Sequence, residues 1–176
     1  LSDLIVTADA PGATQGWAQL GPRKYRCALG RGGIVTKKRE GDGGTPVGSF
    51  PLRRLFVRAD RGAIPQAPVP VSIITKDDGW CDAPEHPDYN RHVALPFTAS
   101  HEEMWLEDHL YDLMLVIGHN DAPVVPFMGS AVFVHLARGD YEPTAGCIAF
   151  QRPDLEEILA ALGPADCVTV LAPSNL

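Results

Sequence analysis

The chain has 176 residues, 45% of them hydrophobic and 21% charged, with 17 glycines, 16 prolines and a formal charge of −7. That size suits one domain spanning residues 1–176, and the Gly and Pro content argues against a helical bundle and for short strands joined by turns. An acidic sequence with no stripe of interleaved basic and aromatic residues excludes a dominant nucleic-acid role, and no apolar run approaches the about 18 residues of a membrane span.

Leu4–Ala8 reads as a first strand, followed by Trp17–Leu20, Tyr25–Leu29 and the short β-branched run Ile34–Lys38. Ser49–Arg58 alternates in part and reads as a strand. Residues 59–70 are a Pro- and Ala-rich loop, Val71–Thr75 is a further strand, and Asp77–Asn90 reads as a long covering loop. Ser100 and Glu103 form a capping box, which predicts a helix over Ser100–Asp108. Leu113–His119 and Ala131–His135 are strand-like. Pro153–Leu162 has the signals of a helix: Pro at its start, Asp154, Glu156 and Glu157 in the first turn, then Gly163 and Pro164 beyond its end. Its apolar residues Leu155, Ile158, Leu159 and Leu162 recur at i, i+3, i+4, i+7. Val168–Leu171 closes the chain as a strand. The whole reads as a mainly-β fold with one or two short helices.

Charge is unevenly spread: residues 1–61 carry net +6 and residues 62–176 net −13. A basic first third suits either an anionic polymer or solvated strand faces. The cysteines Cys27, Cys81, Cys147 and Cys167 lie far apart, with no C-x-x-C, so a disulfide scaffold is not expected. Six histidines are present, but none falls at H-x-x-x-H spacing, and neither a metal nor an organic cofactor is expected. A Cys147-His135-His119 zinc site is the weaker alternative. The opening LSDLIVTADA has no basic stretch and no apolar core of a signal peptide, and it lacks an initiator Met.

The densest chemistry lies in Val132–Phe150. A strand brings His135, and Cys147 follows twelve residues later beside Gly146. An imidazole next to a thiol favours the thiolate and can pass the proton to a leaving amine. Gly146 lets a carbonyl approach the backbone, where the N–H groups of Gly146 and Cys147 can face an oxyanion. Spacing alone leaves open a core histidine and a buried inert cysteine. A second segment, Gly41–Phe50 (GDGGTPVGSF), is neither a P-loop nor a dinucleotide fingerprint, and by itself reads as a tight turn.

In order and separation these two segments resemble the L,D-transpeptidase catalytic domain of the YkuD family. The matching residues are Gly41, Asp42, Thr45, Pro46, Gly48 and Phe50, then His135, then Thr144-Ala145-Gly146-Cys147-Ile148. The resemblance implies two packed mixed β-sheets in a sandwich-like fold. It implies Cys147 as nucleophile, His135 as base and Gly146 as an oxyanion donor. It also implies acyl transfer on peptidoglycan or muropeptide peptide stems through a thioacyl-enzyme, forming 3,3 or 1,3 cross-links, with carbapenem β-lactams as possible covalent inhibitors. Water as acceptor makes the enzyme an L,D-carboxypeptidase. A non-catalytic wall-binding module is the alternative of another class.

Two residues depart from the family pattern. Ala145 stands where many members have a second His, and Ala149 where many have Arg or Asn. Substrate contacts are expected from Thr144, from His119 and Asn120 in the Gly118–Asp121 turn, and from Trp80 and Tyr89 on the long loop; Asn90 is a further candidate. Each has a purely structural alternative. Cys81, beside Trp80, ranks below Cys147. The expected setting is bacterial. It is cytoplasmic if the chain is near full length, and periplasmic or envelope-bound if a leader has been trimmed.

Overall fold

A computed structural model describes residues 2–174. Its fourteen strands are β1 (Leu4–Ala8), β2 (Gln15–Leu20), β3 (Arg23–Ala28), β4 (Ile34–Val35), β5 (Thr45–Pro46), β6 (Gly48–Val57), β7 (Val71–Ile73), β8 (Asp78–Cys81), β9 (His92–Ala94), β10 (His101–Glu103), β11 (Leu113–Ile117), β12 (Phe133–Leu136), β13 (Ile148–Phe150) and β14 (Cys167–Val170). One α-helix, α1 (Arg152–Ala161), lies between the last two.

Nine strands form one sheet in the order β11-β12-β13-β3-β2-β1-β14-β6-β7, and β6 also pairs with β11, closing a barrel-like ring. β6 makes closure possible because it is ten residues long. Its first part, Gly48–Pro51, runs antiparallel to β14, and its second part, Leu52–Val57, runs antiparallel to β11. The mainly-β expectation holds. The strands are joined as one ring, however, where the resemblance implied two packed sheets, because a single long strand serves both edges. A three-stranded sheet, β10-β8-β9, and the small β4–β5 pair complete the fold.

The alternation of side chains along β11 separates two cores. Leu113, Leu115 and Ile117 join the barrel interior with Leu4, Val6, Leu55, Val134, Ile148 and Phe150. Leu155, Ile158, Leu159 and Leu162 of the helix and its cap also pack there, as their spacing predicts. Met114 and Val116 face the other way, into a cluster with Phe56, Ile74, Trp80, Met104, Tyr111, Phe133 and Cys147. This second face is covered by the three-stranded sheet, so all five residues of β11 are buried.

The helix predicted over Ser100–Asp108 does not form. His101–Glu103 is an edge strand paired antiparallel with β8, with Glu102 opposite Trp80. Ser100 Oγ donates to the Asp82 carboxylate at 2.6 Å instead of capping a helix. The capping box is a local signal, and strand pairing with a distant segment overrides it. The same pairing makes part of the Asp77–Asn90 loop a strand, β8. α1 begins one residue before Pro153, with Gln151 at the N-cap. No helix among the described residues is long and apolar enough to cross a membrane.

Candidate active site

β12 and β13 are parallel neighbours, with Val134 opposite Ile148 and His135 opposite Ala149. Register partners point to the same face of a sheet, and residues two apart on one strand share a face. Cys147, two residues before Ala149, therefore projects on the same side as His135, and both line one cavity of about 500 Å³. His135 is one residue inside the end of β12 rather than at its end.

The imidazole is fixed by its backbone. His135 Nδ1 lies 2.9 Å from the Leu136 carbonyl oxygen, which can only accept, so Nδ1 carries the hydrogen and Nε2 keeps its lone pair. The Tyr111 ring stands edge-on at 5.4 Å. Burial pushes the imidazole down to about 4, against the Leu136 hydrogen bond. It is neutral at pH 7, as a base must be before it acts.

Cys147 is held by a different pair of groups. Its sulfur accepts the Phe133 N–H at 3.3 Å, and its S–H donates to the Ala131 carbonyl at 3.2 Å. Burial pushes the thiol up to about 12; the Phe133 N–H and the Lys38 ammonium oppose this, while the Glu102 carboxylate adds to it. The resting pair is thus a neutral thiol and a neutral imidazole. The sequence pointed to a thiol lowered by its imidazole; here both groups are desolvated and the thiol's bonds run to the main chain. Ala131 itself has φ +54°, and its N–H is taken by Asn90 Oδ1 at 3.0 Å. The same oxygen accepts Trp80 Nε1–H at 3.0 Å, and Asn90 Nδ2 donates to the carbonyls of His119 and Asn120 at 2.9 Å each.

The two sequence segments, about a hundred residues apart, touch at this point. Gly146 (φ +134°) has no room for a side chain: a Cβ there would lie 2.9 Å from the Gly44 carbonyl oxygen. Gly30 is equally confined, between Gly43 and Gly146. Thr144 Oγ1 accepts the Gly146 N–H at 3.1 Å and donates to the Cys147 carbonyl at 2.7 Å, so one hydroxyl ties the turn that presents the thiol. Asp42 braces the opposite loop by accepting from Lys38 Nζ and from the N–H groups of Arg39 and Gly44. Burial raises the Asp42 carboxyl, but these bonds outweigh it and hold it below the usual range. Thr45 Oγ1 accepts the Gly30 N–H at 2.9 Å, tying the Gly41–Phe50 segment to the turn after β3.

The cavity lining carries several acidic groups. Burial lifts the Glu102 carboxyl above its ordinary value, against the hydrogen bond it accepts from Tyr111 Oη at 2.8 Å. Glu40 accepts from Tyr89 Oη and Ser130 Oγ, both at 2.6 Å. Arg31, Lys38 and Arg138 supply positive charge on the same lining. Such a surface can receive a zwitterionic peptide.

Of the substrate contacts expected from sequence, Thr144 lines the Cys147 cavity. Tyr89 is buried and does not line that cavity, but its hydroxyl bonds to Glu40, which does. Trp80 and His119 line a different cavity. Asn120 (φ +51°) closes its own turn, bonded to Val125 and Gly129. The Gly146 N–H faces Thr144 Oγ1 rather than open space. Cys81 is buried on β8, and Cys27 lies within β3. Among the described residues no three His, Cys, Asp or Glu side chains gather as a metal site. Sequence reasoning did not reach Lys38, Glu102, Tyr111 or Ala131. Lys38 and Ala131 fell at the ends of predicted strands, and Glu102 inside the helix predicted over Ser100–Asp108.

A mainly-β domain that presents a thiol and an imidazole from adjacent parallel strands into one cavity holds the groups that acyl transfer requires. The chain belongs to the YkuD family: the model of the L,D-transpeptidase catalytic domain matches residues 14–170. No curated protein and no solved structure gives a significant match to the chain.

Proposed function

We propose that this protein is a cysteine-dependent L,D-transpeptidase acting on peptidoglycan peptide stems. The observation that carries the reading is the shared orientation of His135 and Cys147, set by the β12–β13 register, at a turn built by both family segments. In the proposed reaction the thiol proton passes to His135 Nε2 as sulfur bonds to the carbonyl carbon of the third stem residue. The imidazolium then protonates the departing D-alanine nitrogen as its C–N bond breaks, leaving a thioester on Cys147. The amine of a neighbouring third residue attacks the thioester and expels the Cys147 sulfur, which takes back a proton, giving a 3,3 link. A thioester formed instead at the first stem residue, with the second residue's nitrogen leaving, gives a 1,3 link. Water in its place gives a tripeptide, the carboxypeptidase outcome. The Cys147 N–H is the candidate oxyanion donor; the Gly146 N–H becomes one only if it leaves Thr144.

The test is mass spectrometry of tetrapeptide muropeptides incubated with wild-type protein and with Cys147→Ala. Cross-linked dimers with released D-alanine in the wild-type sample alone support the transpeptidase. Tripeptide alone supports the hydrolase. No turnover by either protein supports a binding module. A carbapenem is expected to add to Cys147, seen as one added drug mass that Cys147→Ala lacks.

A further inference from the structure

A second cavity, of about 540 Å³, is lined by neither Cys147 nor His135. Its floor is apolar, formed by Phe56, Trp80, Val116 and Phe133. The Phe133 ring stands edge-on to Trp80 at 5.0 Å and to Tyr111 at 5.8 Å. Trp80 lines this cavity and Tyr111 lines the Cys147 cavity, so one aromatic ring forms the partition between them.

The rim is cationic. Arg53, Arg54 and Arg91 line it, against a single carboxylate, Asp121. Asp121 is already committed to Arg53, accepting from Nε at 2.9 Å and Nη2 at 3.1 Å. Gly118 leaves the space for that guanidinium, since a Cβ there would lie 2.8 Å from Arg53 Nη2. Arg54 donates to the neutral Ser72 hydroxyl at 2.8 Å, and the exposed Arg91 has no ion-pair partner among the described residues. Two guanidinium charges thus stand uncompensated around an apolar basin in a chain of net charge −7. Like charges on a low-dielectric rim repel, and an anion between them relieves the cost. The planar guanidinium fork also matches the paired oxygens of an acid group.

We propose that this second cavity binds an organic anion, its apolar ring or chain seated on the Phe56–Phe133 floor and its acid group taken by Arg54 and Arg91. The volume suits a small molecule. The proposal gives the basic first third of the sequence a role, since Arg53 and Arg54 come from β6, while Arg91 precedes β9.

The probe is 8-anilino-1-naphthalenesulfonate, an aromatic body carrying one acid group, titrated by fluorescence against protein shown to be folded by near-ultraviolet circular dichroism. Saturable binding is expected, weakened about tenfold or more in Arg54→Gln/Arg91→Gln through loss of the charge-assisted bonds. Arg31→Gln/Arg138→Gln removes the same charge at the Cys147 cavity and is expected to change the affinity less than about twofold. The uncharged N-phenyl-1-naphthylamine is expected to bind wild type and Arg54→Gln/Arg91→Gln alike. Amide shifts of the wild-type protein with the sulfonate supply a readout that needs no variant; they are expected at Ser72, His92 and Val116. Shifts centred on Thr144 and Ala145, equal losses in the two double variants, or no saturable binding would each overturn the proposal.

Discussion

His135 and Ala149 are register partners on two parallel strands, and that pairing sets the geometry of the site. Ala149 is fully buried and packs with Ala28 and Ala137. Its methyl group lines the Cys147 cavity at the position where the family resemblance led to an expectation of Arg or Asn. The lining beside the imidazole is thus a methyl group, too short to reach into the cavity as a polar contact. Ala149→Leu is expected to overpack this layer, lowering stability by about 1–3 kcal/mol and pushing the imidazole out of line. Thermal melting and turnover of a tetrapeptide muropeptide measure the two effects.

Cys147 and His135 are expected to be individually indispensable. Cys147→Ala and His135→Ala should each reduce turnover by about a thousandfold or more, while Cys81→Ala retains at least half of it. Cys81→Ala matters as a control because both cysteines are buried, yet only Cys147 lines the cavity that His135 lines. Full activity in Cys147→Ala would exclude the thioacyl route.

The buried imidazole makes stability depend on pH. His135 titrates at about 4 in the folded chain, against an ordinary value of 6.5. Between those values the unfolded chain binds a proton that the folded chain does not, so stability falls as pH drops from about 6.5 to about 4 and then levels off. The shift corresponds to about 3 kcal/mol at full effect. Urea unfolding at pH 7, 5.5 and 4 should show this loss. His135→Gln, which removes the titrating group, should flatten that part of the profile.

Thr144 is expected to act through the turn. Thr144→Val removes the acceptor of the Gly146 N–H and the donor to the Cys147 carbonyl, costing about 1–2 kcal/mol. Thr144→Ser keeps both bonds and should restore stability and turnover. If Thr144→Val matched wild type in both, the turn would not depend on this hydroxyl.

Asn90 joins segments that the sequence leaves apart. Its φ of +56° suits Asn or Gly, so Asn90→Gly removes the amide while keeping the backbone path. Loss of the bond to the Ala131 N–H should loosen the carbonyl that receives the Cys147 S–H. The S–H infrared stretch, read as wild type minus Cys147→Ala, should move toward the position of a free thiol in Asn90→Gly. An unmoved band would mean that Ala131 is held by other contacts.

Much of this protein could be read along the chain. The terminal helix announced itself because Pro153, the early acids, Gly163 and the spacing of Leu155, Ile158, Leu159 and Leu162 are all local signals, and local signals suffice for an element that packs one face on a core. The strand that carries His135 was legible from its apolar run, the short β13 after Cys147 was not among the predicted strands, and the association of the two residues came from the order of the family's segments. The helix over Ser100–Asp108 was misread because a capping box says nothing about a distant strand. Glu102 sits opposite Trp80 for reasons held in β8, not in its own neighbours. The same limit applies to the cavities. Trp80 and His119 looked like substrate contacts in sequence, yet both line a cavity other than that of Cys147, and the Phe133 ring stands between Trp80 and Tyr111. The sequence determined which groups are present and in what order along the chain. Only the tertiary structure decided which of them meet, because strand register and ring packing join residues tens of positions apart, and one strand's face is set by the neighbour it pairs with.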